Sequence, residues 1–118
     1  MAVERGQVIN ARFPHASGSR GKKRPVVVLQ TDAYNQRLRH AVVAQLTSNL
    51  DDEDDPACFA IEADSPEGRA AGVVQDSLFS GYLLSLMSED RLQDAIGRLS
   101  DETMRKAAEC VKAALGIE

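Results

Sequence analysis

A chain of 118 residues, 43% of them hydrophobic, buries roughly two-thirds of the surface its unfolded form exposes, which is enough for one core and predicts a single domain over residues 1–118. The net charge of -4 argues against a protein that coats nucleic acid over its whole surface. No apolar run approaches the ~20 residues of a membrane span, and "MAVERGQVIN" carries charge where a secretion signal would be apolar, so a cytoplasmic protein without a membrane partner is expected.

In chain order, "QVINARF" alternates, Ile9, Ala11 and Phe13 on one side and Val8, Asn10 and Arg12 on the other, as a half-buried strand does. A loop, "GSRGKKR", then gathers Arg20, Lys22, Lys23 and Arg24 around Gly18 and Gly21. The β-branched run "PVVVLQ" reads as a central strand beginning at Pro25, a residue unable to donate to a ladder. "TDAYNQRLRH" is a polar connection, "AVVAQLT" a third strand ending at Thr47, and "SNLDDEDDP" a loop whose acids repel one another. "ACFAIEA" and a segment near "GVVQDSLF" bring the strands to at least five.

The period then changes. Ser88 as N-cap, Leu92 and Ile96 on one face and Gly97 as the stop predict a short helix over residues 89–96. Met104, Ala107, Ala108, Val111 and Leu115 predict a longer amphipathic helix, capped by Ser100, with Asp101 and Glu102 in its first turn and Gly116 at its end. The fold class is α+β, mainly β: a small antiparallel barrel packed against a C-terminal helix.

Charge is unevenly placed. Residues 1–40 hold eight Lys or Arg against two acids, six positive overall, so the remainder carries ten negative. A basic first third on an acidic body suits a local anionic ligand, although the signs could also interleave again in space. Cys58 and Cys110 stand far apart, with no CxxC pair and no nearby histidine, so they read as small buried apolar residues and no metal site is expected.

"RGQVINARFP", "KKRPVVVLQ" followed by "YNQ", "VVAQLTSN" and "IGRLSDETMRKAAECVKAALG" together resemble the PemK/MazF toxins of bacterial toxin–antitoxin pairs, over nearly the whole chain and in the right order. The resemblance implies an SH3-like barrel of the CcdB/PemK type. It also implies a growth-inhibiting endoribonuclease that cuts single-stranded mRNA selectively without metal or other cofactor, works as a homodimer and is neutralised by a cognate antitoxin. The family's catalytic arginine, in its "RP" motif, falls on Arg24, and its catalytic threonine or serine on Thr47.

The chemistry is consistent with that assignment. Cutting RNA without metal drives the ribose 2′-hydroxyl into its own phosphate and concentrates negative charge on the non-bridging oxygens. A guanidinium fork matches a phosphate, and a threonine hydroxyl adds a second donor. Arg20, Lys22 and Lys23 can follow neighbouring phosphates. A guanidinium holds its proton in proteins, so Arg24 suits charge stabilisation and proton donation better than the role of general base. His15 is a candidate base, or simply a solvated loop histidine.

Other positions stay open between two readings. Ser48 and Asn49 either orient RNA or make a routine exit from a strand, and Arg37, beside Tyr34, either extends the basic face or belongs to an ordinary connection. The region "VVQDSLFSGYLLSLMSEDRL" aligns with the family's charged strand motif in two ways. One keeps Gln75 and Asp76 as polar substitutes; the other leaves the apolar "YLLSL" in the motif's place. Two further functions stay in view: a CcdB-like toxin that holds a topoisomerase and cuts nothing, and a degenerate member that only binds RNA or antitoxin.

Overall fold

The computed structural model describes residues 1–13 and 22–118; His15, Gly18, Arg20 and Gly21 lie outside the described residues. Its strands are β1 (Gln7–Phe13), β2 (Lys22–Val28), β3 (His40–Thr47), β4 (Cys58–Ile61), β5 (Ser77–Ser88) and β6 (Leu92–Arg98). Among the described residues three α-helices accompany them: α1 (Asp32–Asn35), α2 (Pro66–Ala71) and, after the last strand, α3 (Asp101–Leu115). All strand pairs are antiparallel, in the order β4-β5-β3-β2-β1-β6, so the sheet is a barrel left open between β4 and β6.

Two clusters of apolar side chains use the two faces of this sheet. On one face Val8, Val27, Ala44, Leu46 and Phe79 pack against Met104, Ala107 and Cys110 of α3. On the other, Ile9, Ala11, Val26, Val28 and Val43 meet Met87 and Leu92 where the sheet curls. This explains the unbroken apolar run in β2, because Val26, Val27 and Val28 are all fully buried, on alternating sides.

Helix α3 follows its sequence pattern. The Ser100 hydroxyl accepts the Thr103 N–H at 3.1 Å, and Gly116, at φ 70°, ends the helix in the left-handed conformation that glycine adopts without cost. The shorter expected helix is not formed. Residues 89–91 make one 3-10 turn, and Leu92–Arg98 is β6, paired with β1. Spacing of four between Leu92 and Ile96 fits a helix, but β1 has an edge whose backbone groups need partners, and pairing satisfies them.

A second difference concerns the basic loop. Strand β2 begins at Lys22, not Pro25: Lys22, Lys23 and Arg24 pair with Phe13, Arg12 and Ala11 of β1. Their side chains remain exposed, so the ladder gains its hydrogen bonds without burying charge. Sequence reading also missed α1 and α2. In α2 the Ser65 hydroxyl accepts the Gly68 N–H at 3.0 Å and Pro66 occupies the first helical turn.

Candidate active site

Arg24 and Thr47 come from neighbouring strands. Strand β2 pairs Val26 with Gln45, Val27 with Ala44 and Val28 with Val43, and the same register carried two residues further sets Arg24 level with Thr47. The pairing stops at Val26. Pro25, the next residue, has no N–H to give to a ladder, which suits an end of the β2–β3 pairing at this point. Side chains alternate along a strand, which puts Arg24 on the face of Val26 and Val28, and Thr47 on the face of Val43. The pair therefore shares one face.

Arg24 is exposed and Thr47 half-buried at the end of β3. The Thr47 Oγ1 accepts the Asn49 N–H at 3.2 Å. A hydroxyl that accepts one bond can still donate its own proton. Lys22 lies on the same face as Arg24 by alternation, and Lys23 on the other. Both are exposed cations at the mouth of the hairpin.

The remaining expected site residues are spread out. Asn49 is drawn in through its backbone, as above, and its Oδ1 accepts the Asp51 N–H at 2.9 Å. Ser48 and Gln75 line a cleft of about 280 Å3 with Asn10, Pro25, Leu46 and Val74. Pro25 and Leu46 alternate with Arg24 and Thr47, so this cleft opens on the opposite face of the sheet. Asp76 is occupied in holding the Ala63 N–H, at 2.9 Å. Arg37 lies over the Tyr34 ring at 5.3 Å, in the connection that leaves β2 at the end away from Arg24. A separate cleft of about 420 Å3 holds Phe13, His40, Met87 and Arg91, close to the base of the basic hairpin.

One contact was not foreseen. Tyr82 of β5 donates from its hydroxyl to Asp52 Oδ2 at 2.6 Å, and that bond is the main reason its pKa is pushed up to about 12, so the phenol stays protonated as a donor. Cys58 and Cys110 are both buried as free thiols, with Cys58 Sγ 3.6 Å from Ser80 Oγ, and burial raises the Cys110 pKa. Among the described residues no three His, Cys, Asp or Glu side chains gather as a metal site would. No helix of these residues is long and apolar enough to cross a membrane.

This open barrel, with exposed cations at the start of β2 and a threonine at the end of the neighbouring β3, has known relatives. Residues 4–115 match the family described as PemK-like, MazF-like toxin of type II toxin–antitoxin system, and the chain belongs to that family. It is similar to Endoribonuclease EndoA of Bacillus subtilis, 31% identical over 118 residues that span 99% of this chain and 97% of the relative. Among solved structures, the fold is shared with MazE–MazF from Deinococcus radiodurans, at TM-score 0.79, 16% identity and 100% of both chains covered. It is shared also with a mycobacterial endoribonuclease in complex with its cognate antitoxin, at TM-score 0.78, 20% identity and 99% and 98% coverage.

Proposed function

We propose that this toxin is a cytoplasmic endoribonuclease that cuts single-stranded RNA at a phosphate bound between Arg24 and Thr47. The observation that carries the reading is the β2–β3 register, whose last pair is Val26 with Gln45; extended by two residues, it would bring Arg24 level with Thr47. The 2′ oxygen of the preceding ribose gives up its proton to a base and bonds to phosphorus. The bond to the 5′ oxygen breaks, and that oxygen leaves with a proton. Charge building on the phosphate is met by the Arg24 fork and the Thr47 hydroxyl, donors fixed before the reaction begins. Lys22 and Lys23 hold flanking phosphates.

Partners follow from the same surfaces. Val42 and Leu86 are cross-strand partners exposed at 37% and 65%, an apolar spot on a sheet face that a second copy would cover in a homodimer. The basic hairpin is complementary to an acidic antitoxin segment, which competes with RNA for it. The relatives named endoribonuclease, and the neighbour solved with its cognate antitoxin, support this reading.

The test is a long transcript incubated with the protein in EDTA, followed by end-group analysis. Cleavage leaving a 2′,3′-cyclic phosphate and a 5′-hydroxyl is expected, and deoxyribose placed before a mapped cut should stop the reaction while binding survives. Cutting of the deoxy substrate, or 5′-phosphate ends, overturns the mechanism. A toxin that acted by holding a topoisomerase would leave RNA whole and change supercoiling instead.

A further inference from the structure

Residues 47–58 are a string of turns running from Thr47 to β4. Asn49 N–H bonds to Thr47 Oγ1, Asp51 N–H to Asn49 Oδ1, Glu53 N–H to the Leu50 carbonyl, Asp55 N–H to the Asp52 carbonyl and Cys58 N–H to the Asp55 carbonyl. These bonds are local, and each closes a loop of a few residues. The Gly81 N–H fastens the end of the string to β5 through the Ala57 carbonyl at 2.8 Å, and the bond from Tyr82 Oη to Asp52 Oδ2, between residues thirty apart in sequence, fastens its middle.

The backbone that carries Tyr82 is itself unusual. Strand β3 pairs Ala44 with Leu84 and Leu46 with Phe79, so the single residue Gln45 stands opposite residues 80–83 of β5. A bulge re-aims side chains that a regular pleat would hold perpendicular to the sheet. Here it lies across from the residue two before Thr47 and turns Tyr82, 47% exposed, onto the loop that leaves Thr47.

We propose that Tyr82 is a positioning residue for RNA cleavage: by holding Asp52 it steadies the turns whose first bond fixes the Thr47 hydroxyl. The inference rests on the reading of Thr47 as a donor to the phosphate. Tyr82 need not touch RNA. Its effect belongs to the rate of the bound complex, because a donor that wanders from the phosphate loses transition-state contact more than substrate affinity.

The experiment uses the full-length protein and a long transcript in EDTA, with rates at limiting and saturating RNA and thermal unfolding alongside. Tyr82→Phe should lower kcat about tenfold with little change in KM or Tm, since misplacing a catalytic group costs up to ~10²-fold. Asp52→Ala should match it, the double variant should be no slower than either single one, and Asp52→Asn, which keeps an oxygen to accept the phenol, should recover most of the rate. Neutralising Glu53, whose carboxylate has no partner among the described residues, with Gln should leave kcat unchanged. Wild-type kcat in Tyr82→Phe and Asp52→Ala, beside a slow Thr47→Ala, overturns the positioning role alone. A Thr47→Ala protein with full activity overturns the underlying reading as well.

Discussion

Gly81 of β5 passes directly beneath Cys110 of α3: a Cβ on Gly81 would stand 2.5 Å from the Cys110 carbonyl oxygen and 2.8 Å from the Val111 nitrogen. Both are backbone atoms, so neither can swing aside as a side chain could. Gly81→Ala should therefore push α3 off the sheet and loosen the cluster around Phe79 and Ala107, at a cost of about 1–3 kcal/mol. Urea unfolding would measure it. A variant as stable as the parent would show that the helix is not seated this closely.

Arg24→Ala and Thr47→Ala should separate rate from fold. Arg24 is exposed and contributes nothing to either apolar cluster, so its removal should abolish cleavage while Tm is retained. Thr47→Ala should slow cleavage by roughly 10²-fold or more, the scale of losing one donor to a developing oxyanion. RNA affinity should fall far less than rate in both. Single-turnover kinetics at saturating protein would show it, and unchanged rates would remove the pair from the chemistry.

Lys22 and Lys23 point to opposite faces of β2 yet are both exposed at the hairpin mouth. Changing both to Ala should weaken RNA binding broadly and reduce the slope of log affinity against log salt by up to about one unit per lost phosphate contact. Preferred cleavage positions should stay the same. An unaltered slope would take this strand out of the RNA path.

Asp32 closes the turn after β2 by accepting the Arg5 N–H at 2.7 Å and the Asn35 amide at 3.2 Å. These bonds, Arg5 first, hold its carboxyl below the ordinary carboxylate range. A pKa lower in the folded chain than in the unfolded one means stabilisation that is present above the unfolded value, about 3.9, and lost as pH falls through the folded value. Asp32→Ala should thus be less stable than the parent at pH 7, with the gap narrowing below about pH 4. Unfolding curves at several pH values would reveal a gap that failed to narrow.

Leu86→Glu should disperse the proposed homodimer, because it puts a charge at the centre of the exposed Val42–Leu86 pair without touching the buried clusters. Sedimentation at micromolar concentration should show a dimer for the parent and a monomer for the variant. A parent already monomeric would refute the assembly.

Local signals carried much of the architecture. Met104, Ala107 and Val111, with Ser100 before them and Gly116 after, spelled out α3 because capping and periodicity agree there. Leu92 and Ile96 misled, since their spacing fits a helix while the open edge of β1 decides the outcome. The start of β2 was misplaced because exposed cations look like loop residues until the partner strand is known. Ser65 followed by Pro66 was a readable helix start that went unused. Arg24 and Thr47 are proposed from sequence resemblance and chemistry, whereas no local pattern joins Tyr82 to Asp52. That bond exists only once a bulge in β5 is folded against β3.

The three buried valines of β2 have a consequence for how the hairpin finds its partner. Moving β2 by one residue against β1 would exchange one fully buried Val for another, so burial alone barely distinguishes the correct alignment from the slipped one. The discrimination comes from the strand's other half. In the slip that carries Pro25 toward Ile9, Arg24 moves to where Pro25 now sits, and Pro25 takes the place of Val26, where an N–H is wanted. The basic end of β2, proposed above to meet RNA, is thus also what sets the strand's alignment during folding, and making it more apolar should favour a miswired sheet.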